Sequence, residues 1–139
     1  MTKEISLDSR LAADSIAISK LALCEVRLQD DVRFPWLVLV PRHEGLTELF
    51  ELSESDRATA MEEIAQCSAA LRAVTKCLKI NVGALGNIVR QLHIHIVARN
   101  EGDAAWPGPV WGVGTRIPYG ETERADLIAR IKSALAMHA

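Results

Sequence analysis

Apolar and polar residues alternate through the stretch RQLHIHIVAR at residues 90–99. Alternation predicts a β-strand, because successive side chains of a strand point to opposite faces. One face of a strand at residues 91–98 would be apolar and suited to a core: Leu92, Ile94, Ile96 and Ala98. The opposite face would carry an amide and two imidazoles: Gln91, His93 and His95. Two histidines at this spacing are unusual in a chain with only four, so this polar face is the first candidate for a site.

The rest of the chain divides into short strand-like runs and two long helical patterns. The other predicted elements are a short helix around Asp8–Ala13, strands at Leu21–Leu28, Trp36–Pro41 and KINVGALGN (residues 79–87), a long helix capped by Ser53 or Ser55 with apolar residues recurring through Leu78, and a final helix at Glu121–Met137. We expect the strand at residues 36–41 to be antiparallel to the one before it, with Trp36 in the core. Strands separated by one long helix and followed by another predict an α+β domain with a mainly antiparallel sheet.

Composition narrows the class of protein without pointing to a function. The chain of 139 residues fits a single domain, 1–139, and its 49% hydrophobic and 24% charged residues are ordinary for a globular protein. The net charge of −2 gives no reason to expect a nucleic-acid polymer as partner. No signal-peptide pattern or membrane-spanning run is found, and three cysteines without a C-x-x-C pair fit reduced thiols. We therefore expect a cytoplasmic protein with no membrane partner.

The residues alone leave three interpretations of the polar face open. It is a solvated face with incidental histidines, a catalytic or binding site, or a metal site that uses His93 and His95 as two ligands. A metal site would lack a cysteine or acidic partner at a recognisable spacing. The preceding GALGN favours a binding site, because its glycines permit close backbone approach to a ligand and the Asn87 amide can donate to phosphate oxygens.

Three segments together resemble the histidine triad (HIT) family. QLHIHIVAR is similar to the motif in which three histidines alternate with hydrophobic residues. FPWLVLVPRHEGLTELFELSESD is similar to the family's strand, basic residue and acidic helix start, and NVGALGNIVRQLHIHIVAR to its Asn–Gly–Gly–amide–Val–His run. The likeness is closer to a bacterial subgroup with Gln at the first triad position and a WPGPVWG stretch, here residues 106–112. It implies a HIT-like fold with about five mainly antiparallel strands, one long helix and a C-terminal helix.

The resemblance also implies chemistry at phosphorus. HIT proteins are nucleotide hydrolases and transferases that act at the α-phosphate of nucleoside phosphoramidates, dinucleoside polyphosphates or nucleotide sugars, without a metal or cofactor. Carried over by position, His93 would be the nucleophile that forms a nucleotidyl-histidine. His95 would bind phosphate or help to protonate the leaving group. A neutral imidazole can attack phosphorus if a backbone carbonyl keeps one ring nitrogen protonated and the other lone pair free.

Further site residues and one departure follow from the same resemblance. The residues expected to contact the nucleotide or its phosphate are Asn87, Gly86, Asn81, Asp31 near the ribose, and Trp111. Family members usually pair into homodimers, so we expect a homodimer with a nucleotide substrate. Gln91 is the third residue that we expect in the catalytic set, and it replaces the first histidine of the triad. An amide cannot titrate near neutral pH, but it can still orient a neighbour or donate to a phosphate. The alternative is therefore a nucleotide-binding or regulatory protein with weak or no catalysis.

Overall fold

One antiparallel sheet organises the chain, in a computed structural model that describes residues 4–139. Its strands in chain order are β1 Ser15–Lys20, β2 Cys24–Gln29, β3 Trp36–Pro41, β4 Lys79–Gly83 and β5 Ile94–Arg99. The helices are α1 Ser9–Asp14, α2 Glu54–Thr75 and α3 Glu121–Met137, with a single 3-10 turn at Leu49–Glu51. The spatial order is β1-β2-β3-β5-β4, and every neighbouring pair is antiparallel. The predicted α+β class with a five-stranded antiparallel sheet is confirmed.

The long helix α2 has clear signals at both ends. The Ser53 side chain accepts a hydrogen bond from the backbone N–H of Asp56, which satisfies one of the free donors of the first turn. At the other end Lys76 adopts a left-handed φ of 57°, which stops the helix before the predicted limit at Leu78.

None of the helices in residues 4–139 is long and apolar enough to cross a membrane.

Buried side chains lie on both faces of the sheet. On one face α2 and α3 cover the apolar positions of the QLHIHIVAR stretch, Leu92, Ile94, Ile96 and Ala98. On the other face, α1 and the segment around Val110 cover a second cluster that contains Phe34, Trp36 and Val97. The apolar face predicted for residues 91–98 is therefore confirmed. The polar face is covered as well, because His93 and His95 are only 6% and 9% exposed.

The strand predictions were wrong for β1 and for the start of β5, and two further strands are shorter than predicted: β2 begins at Cys24 and β4 ends at Gly83. β1 was not predicted because its register with β2 shifts between Ala17 and Ser19, so its buried positions do not alternate. The strand predicted at residues 91–98 begins at Ile94. Its first residues leave the sheet because the Leu92 N–H donates to the carbonyl of Leu46 instead of a strand partner.

A buried carboxylate joins α2 to the turn between β1 and β2. Glu63 accepts hydrogen bonds from the backbone N–H groups of Leu23 at 3.0 Å and Cys24 at 2.8 Å. Burial raises the pKa of the nearby Cys67 thiol to about 12, and the Glu63 charge adds to that effect. Cys24, Cys67 and Cys77 are all buried free thiols, and a thiol with so high a pKa is a poor nucleophile.

Candidate active site

A cavity of about 410 Å³ opens on the sheet face opposite α2 and α3. Its walls come from residues 29–36, from the loop before β5, and from residues 110–116. Six of the eight expected site residues line it: Asp31, Gly86, Asn87, His93, His95 and Trp111. Gln91 and Asn81 do not. Most of the predicted site is thus brought together in one place, although it is drawn from parts of the chain that are up to 80 residues apart.

His93 lies just before β5 and its ring is fixed by the backbone. Its Nδ1 is 2.7 Å from the carbonyl oxygen of Gln91. A carbonyl oxygen only accepts, so Nδ1 carries the proton and Nε2 keeps its lone pair. His93 therefore has the tautomer of a nucleophilic imidazole.

His95 has the opposite tautomer. Its Nδ1 accepts a hydrogen bond of 3.0 Å from the indole N–H of Trp36, so the ring proton is on Nε2. Burial, with His93 as a second cause, lowers the pKa of His95 to about 3. The two imidazole centroids are 4.8 Å apart. At neutral pH the pair therefore offers one free lone pair and one N–H donor, and neither role requires a charged ring.

Two tryptophans enclose His95. The ring centroids of Trp36 and Trp111 each lie 5.5 Å from the imidazole, in edge-to-face geometry. Trp111 packs on Gly83, where an added Cβ would be 3.0 Å from its ring. The sequence pattern identified Trp36 as a core residue, and it is buried. Its role as a hydrogen-bond donor could not be inferred without the register that places it beside His95.

The expected site residue Asn81 supports a loop instead of lining the cavity. Its Oδ1 accepts a 2.8 Å hydrogen bond from Arg99, a side chain only 1% exposed. Arg99 also binds both carboxylate oxygens of Asp103 and the carbonyl of Gly108. These bonds lower the pKa of Asp103 to about 2. The network fixes the segment that leads to Trp111, so Asn81 acts on the site through the loop.

Gln91 also lies outside the cavity. Its Oε1 accepts from the backbone N–H of Asp8 at 2.7 Å, and its Nε2 donates to the carbonyl of Ser6 at 3.1 Å. The prediction that Gln91, His93 and His95 share one face of a strand is wrong, because Gln91 and His93 precede β5. Only the two histidines line the cavity.

At the far wall Asp31 is paired with a residue that the sequence analysis missed. Arg33 donates to both carboxylate oxygens of Asp31, at 3.0 and 2.8 Å, and to the carbonyl of Val113. Burial opposes ionisation of Asp31, but these hydrogen bonds outweigh it and lower its pKa. Arg116 lines the same wall. The D-x-R spacing directly after β2 was the available signal for this pair.

The loop before β5 presents unpaired donors. Gly86 has a φ of +72°, a conformation that favours glycine. The backbone N–H groups of Asn87, Ile88 and Val89 donate to no acceptor within residues 4–139. Clustered backbone N–H groups of this kind form anion-binding concavities. Within residues 4–139, no group of three or more His, Cys, Asp or Glu residues is arranged to hold a metal ion.

Comparison with known proteins identifies the family. A family model described as the HIT domain matches residues 10–102. The chain belongs to the HIT family. Membership places it among nucleotide-binding hydrolases and transferases. No curated protein matches the sequence of this HIT protein.

Solved structures of HIT proteins are similar over almost the whole chain. A histidine triad protein from Sinorhizobium meliloti 1021 is 50% identical, covers 93% of this chain and 96% of its own, and has a TM-score of 0.92. One from Bradyrhizobium japonicum is 45% identical, with 96% and 99% covered and a TM-score of 0.93. One from Marinobacter aquaeolei VT8 is 39% identical, with 99% and 100% covered and a TM-score of 0.94. The sheet and helices described above are therefore those of the HIT fold.

Proposed function

We propose that this HIT protein cleaves a nucleotide at its α-phosphate through a nucleotidyl-histidine on His93. The substrate is a nucleoside phosphoramidate, a dinucleoside polyphosphate or a related nucleotide. The observation that carries the proposal is the hydrogen bond from His93 Nδ1 to the Gln91 carbonyl oxygen. It leaves the Nε2 lone pair of a neutral ring available in a cavity that is also lined by Asn87, Ile88 and Val89.

The reaction has two displacements at phosphorus. In the first, Nε2 of His93 forms a bond to the α-phosphorus while the bond to the leaving group breaks, and the leaving group takes up a proton. In the second, water or another acceptor attacks the same phosphorus, loses a proton, and releases His93 as the neutral imidazole. Hydrolysis of a phosphoramidate thus consumes one water and yields a nucleoside monophosphate and an amine.

His95 serves as a neutral donor to a phosphate oxygen. Its pKa of about 3 leaves almost no imidazolium at neutral pH, so proton transfer from a charged His95 is not favoured. The proton on Nε2 can instead bond an oxygen of the phosphoryl group as negative charge develops there. Of the two roles expected for His95, phosphate binding fits its environment.

The wall formed by Asp31 and Arg33 suits the nucleoside. The carboxylate of Asp31 is ionised and held by Arg33, and a carboxylate accepts hydrogen bonds from ribose hydroxyls. The Trp111 ring offers an apolar surface at the same cavity. The N–H groups around Asn87 then lie on the phosphate side.

A second cavity favours one leaving group over another. It measures about 290 Å³ and shares Leu85, Gly86 and His93 with the first cavity, so His93 borders both. Its other walls include Phe50 and Glu48, and no lysine or arginine lines it. A polyphosphate leaving group needs cations, whereas an amine or apolar group does not. Phosphoramidates of apolar amines are therefore the preferred substrates.

The test is product release from a nucleotide panel without added metal. The panel holds adenosine and guanosine phosphoramidates, a dinucleoside tetraphosphate and a nucleotide sugar. We expect turnover that His93→Ala lowers by roughly 10³-fold or more, because the nucleophile is lost. Mass spectrometry of the quenched reaction should detect one nucleotidyl group on a peptide that contains His93.

The matched control is His43→Ala, since His43 pairs with Asp56 and lies outside both cavities. Its turnover should equal that of the unchanged protein. Nucleotide binding without turnover or adduct would contradict the proposal and favour the binding or regulatory alternative. Faster release from the tetraphosphate than from the phosphoramidates would contradict the leaving-group preference.

We also propose that the protein is a cytoplasmic homodimer of the bacterial HIT subgroup. β4 is an edge strand, and Val82 within it and Leu78 just before it are about half exposed, which supports pairing of two copies into a homodimer. The three free thiols support a cytoplasmic location. The negative net charge fits a small-molecule substrate better than a nucleic-acid polymer. The WPGPVWG stretch at residues 106–112 supports the bacterial subgroup with Gln at the first triad position.

A further inference from the structure

The side chain of Gln91 uses both ends of its amide to bind the N-terminal segment. The backbone N–H of Asp8 donates to Oε1 at 2.7 Å, and Nε2 donates to the carbonyl of Ser6 at 3.1 Å. This two-point contact spans 83 to 85 positions of the sequence. A donor and an acceptor used together fix the orientation of an amide better than either bond alone.

A second contact joins the same two segments. Arg10 Nη1 donates to the carbonyl of Ile88 at 3.1 Å. Its guanidinium is oriented by both carboxylate oxygens of Asp8, at 3.1 and 3.0 Å, and Asp8 also caps α1 through the Arg10 N–H. Residues 6–10, which we call the N-terminal clamp, therefore bind the loop before β5 at two points.

The loop at residues 84–91 makes few other hydrogen bonds, although its Val89 packs against the second buried cluster. Within residues 4–139, its hydrogen bonds to the rest of the chain run only to the N-terminal clamp and to His93. The loop carries Gly86 and Asn87 of the cavity wall and the unpaired N–H groups expected to meet phosphate. Its position therefore depends on the clamp.

We propose that Gln91 is a positioning residue that holds the loop and the catalytic tautomer of His93 in place through the N-terminal clamp. The side chain that binds the clamp and the carbonyl that accepts the His93 proton belong to the same residue. Fixing the side chain thus fixes the carbonyl that keeps Nε2 of His93 free. On this account the glutamine is not a degraded catalytic histidine, and Gln91→His brings no gain in turnover.

The kinetic part of this inference rests on the proposed function, but the structural part does not. The first experiment compares Gln91→Met, which keeps much of the side-chain volume and removes both hydrogen bonds, with the unchanged protein. We expect hydrogen exchange of the Asp8 amide to accelerate about tenfold, the factor that corresponds to roughly 1.4 kcal/mol. Nitrogen NMR should show the His93 tautomers becoming mixed. On any substrate that is turned over, kcat should fall and KM should rise.

The control is Gln66→Met, because Gln66 also binds a backbone carbonyl, that of Leu135, far from the site. It should leave the His93 tautomer, kcat and KM unchanged. Unchanged exchange and an unchanged His93 tautomer in Gln91→Met would overturn the inference. If the unchanged protein turns over no nucleotide, the proposed function fails, while exchange and NMR still decide the role of Gln91.

A second experiment isolates one bond and does not rely on a change at position 91. Asp8 has a φ of −52°, which proline can adopt. Asp8→Pro therefore removes the backbone N–H that donates a hydrogen bond to Oε1 of Gln91. Asp8→Ala keeps this N–H and removes only the carboxylate. Asp8→Pro should mix the His93 tautomers more than Asp8→Ala does, and this difference should disappear when Gln91→Met is also present. A difference that persists would overturn the inference.

Discussion

At the scale of single residues, the environment of each imidazole decides which nitrogen is available to a substrate. In His93 the Gln91 carbonyl keeps the ring proton on Nδ1. In His95 the indole N–H of Trp36 bonds to Nδ1, so the ring proton is on Nε2. The two rings are close in sequence and space, yet Nε2 of His93 has a free lone pair whereas Nε2 of His95 carries the proton. The second role depends on Trp36, a residue 59 positions away.

Replacement of Trp36 should therefore change His95 before it changes anything else. Trp36→Phe keeps an aromatic ring in the core and leaves Nδ1 of His95 buried without its donor. We expect a loss of about 1–3 kcal/mol in the free energy of unfolding and a mixture of His95 tautomers. Turnover should fall because fewer molecules carry the proton on Nε2.

Urea unfolding, nitrogen NMR of His95 and kcat measure these effects. The control is Trp106→Phe, since Trp106 packs against Arg99 and does not line either cavity. Equal tautomer populations in Trp36→Phe and the unchanged protein would contradict the role given to Trp36.

At the scale of elements, a buried arginine holds the long loop after β5 in place. Arg99 binds Asp103, Gly108 and Asn81 and stacks near Phe34 and Trp106. An irregular loop without such a centre would place Trp111 poorly over His95. The site therefore depends on a residue that touches neither cavity.

Arg99→Lys tests this dependence. Lysine keeps the charge but cannot reproduce the planar fork that binds Asp103 at two oxygens. We expect a loss of about 1–3 kcal/mol in the free energy of unfolding, because acceptors that Arg99 now satisfies lose their hydrogen bonds while the charge is kept. The measurement is urea unfolding, with Arg130→Lys as the exposed control that should change stability by less than about 0.5 kcal/mol. A similar midpoint for both variants would contradict the role of Arg99.

The sequence predicted those elements whose signals lie within a few neighbouring residues, and it missed the one that depends on pairing between strands. The strand at residues 36–41 and the helix at residues 121–137 were predicted with the bounds that the structure shows. Prolines, alternation and helical spacing encode both within a few residues. β1 was not predicted because its pairing with β2 shifts between Ala17 and Ser19. Such a shift depends on both strands and cannot be recognised in the sequence of one.

For the site, too, the features encoded by nearby residues were predicted and those set by distant residues were not. The position of His93 and His95 followed from alternation, and the loop residues Gly86 and Asn87 from the glycines before them. The direction of Gln91 and Asn81 could not be predicted, because Ser6 and Arg99 decide it through long-range contacts. Arg33 was missed because the D-x-R spacing indicates that it pairs with Asp31 but does not tell whether the pair lies in a cavity wall or in a solvated turn.

At the scale of the whole molecule, the buried neutral His95 makes stability depend on pH. A histidine in the unfolded chain takes up a proton near pH 6.5, whereas His95 in the folded protein does so only near pH 3. Between these values the unfolded state binds more protons, so stability falls as the pH falls. The loss should approach about 1.4 kcal/mol per pH unit from this residue.

Unfolding free energies at pH 7, 6, 5 and 4 measure this slope. His95→Gln should flatten the curve between pH 6 and pH 4, because the titrating group is gone. An equally steep curve in His95→Gln would assign the acid sensitivity to other groups.

The contact of Glu63 with the turn between β1 and β2 bears on how the chain becomes ordered. The acceptor for the backbone N–H groups of Leu23 and Cys24 is Glu63, 40 and 39 residues further along the chain, in α2. Neighbouring strands can pair early, but these two donors lose water without a replacement until α2 has docked. The hairpin and the helix therefore gain most of their stability together. Such coupling favours all-or-none folding over gradual assembly of the sheet, strand by strand.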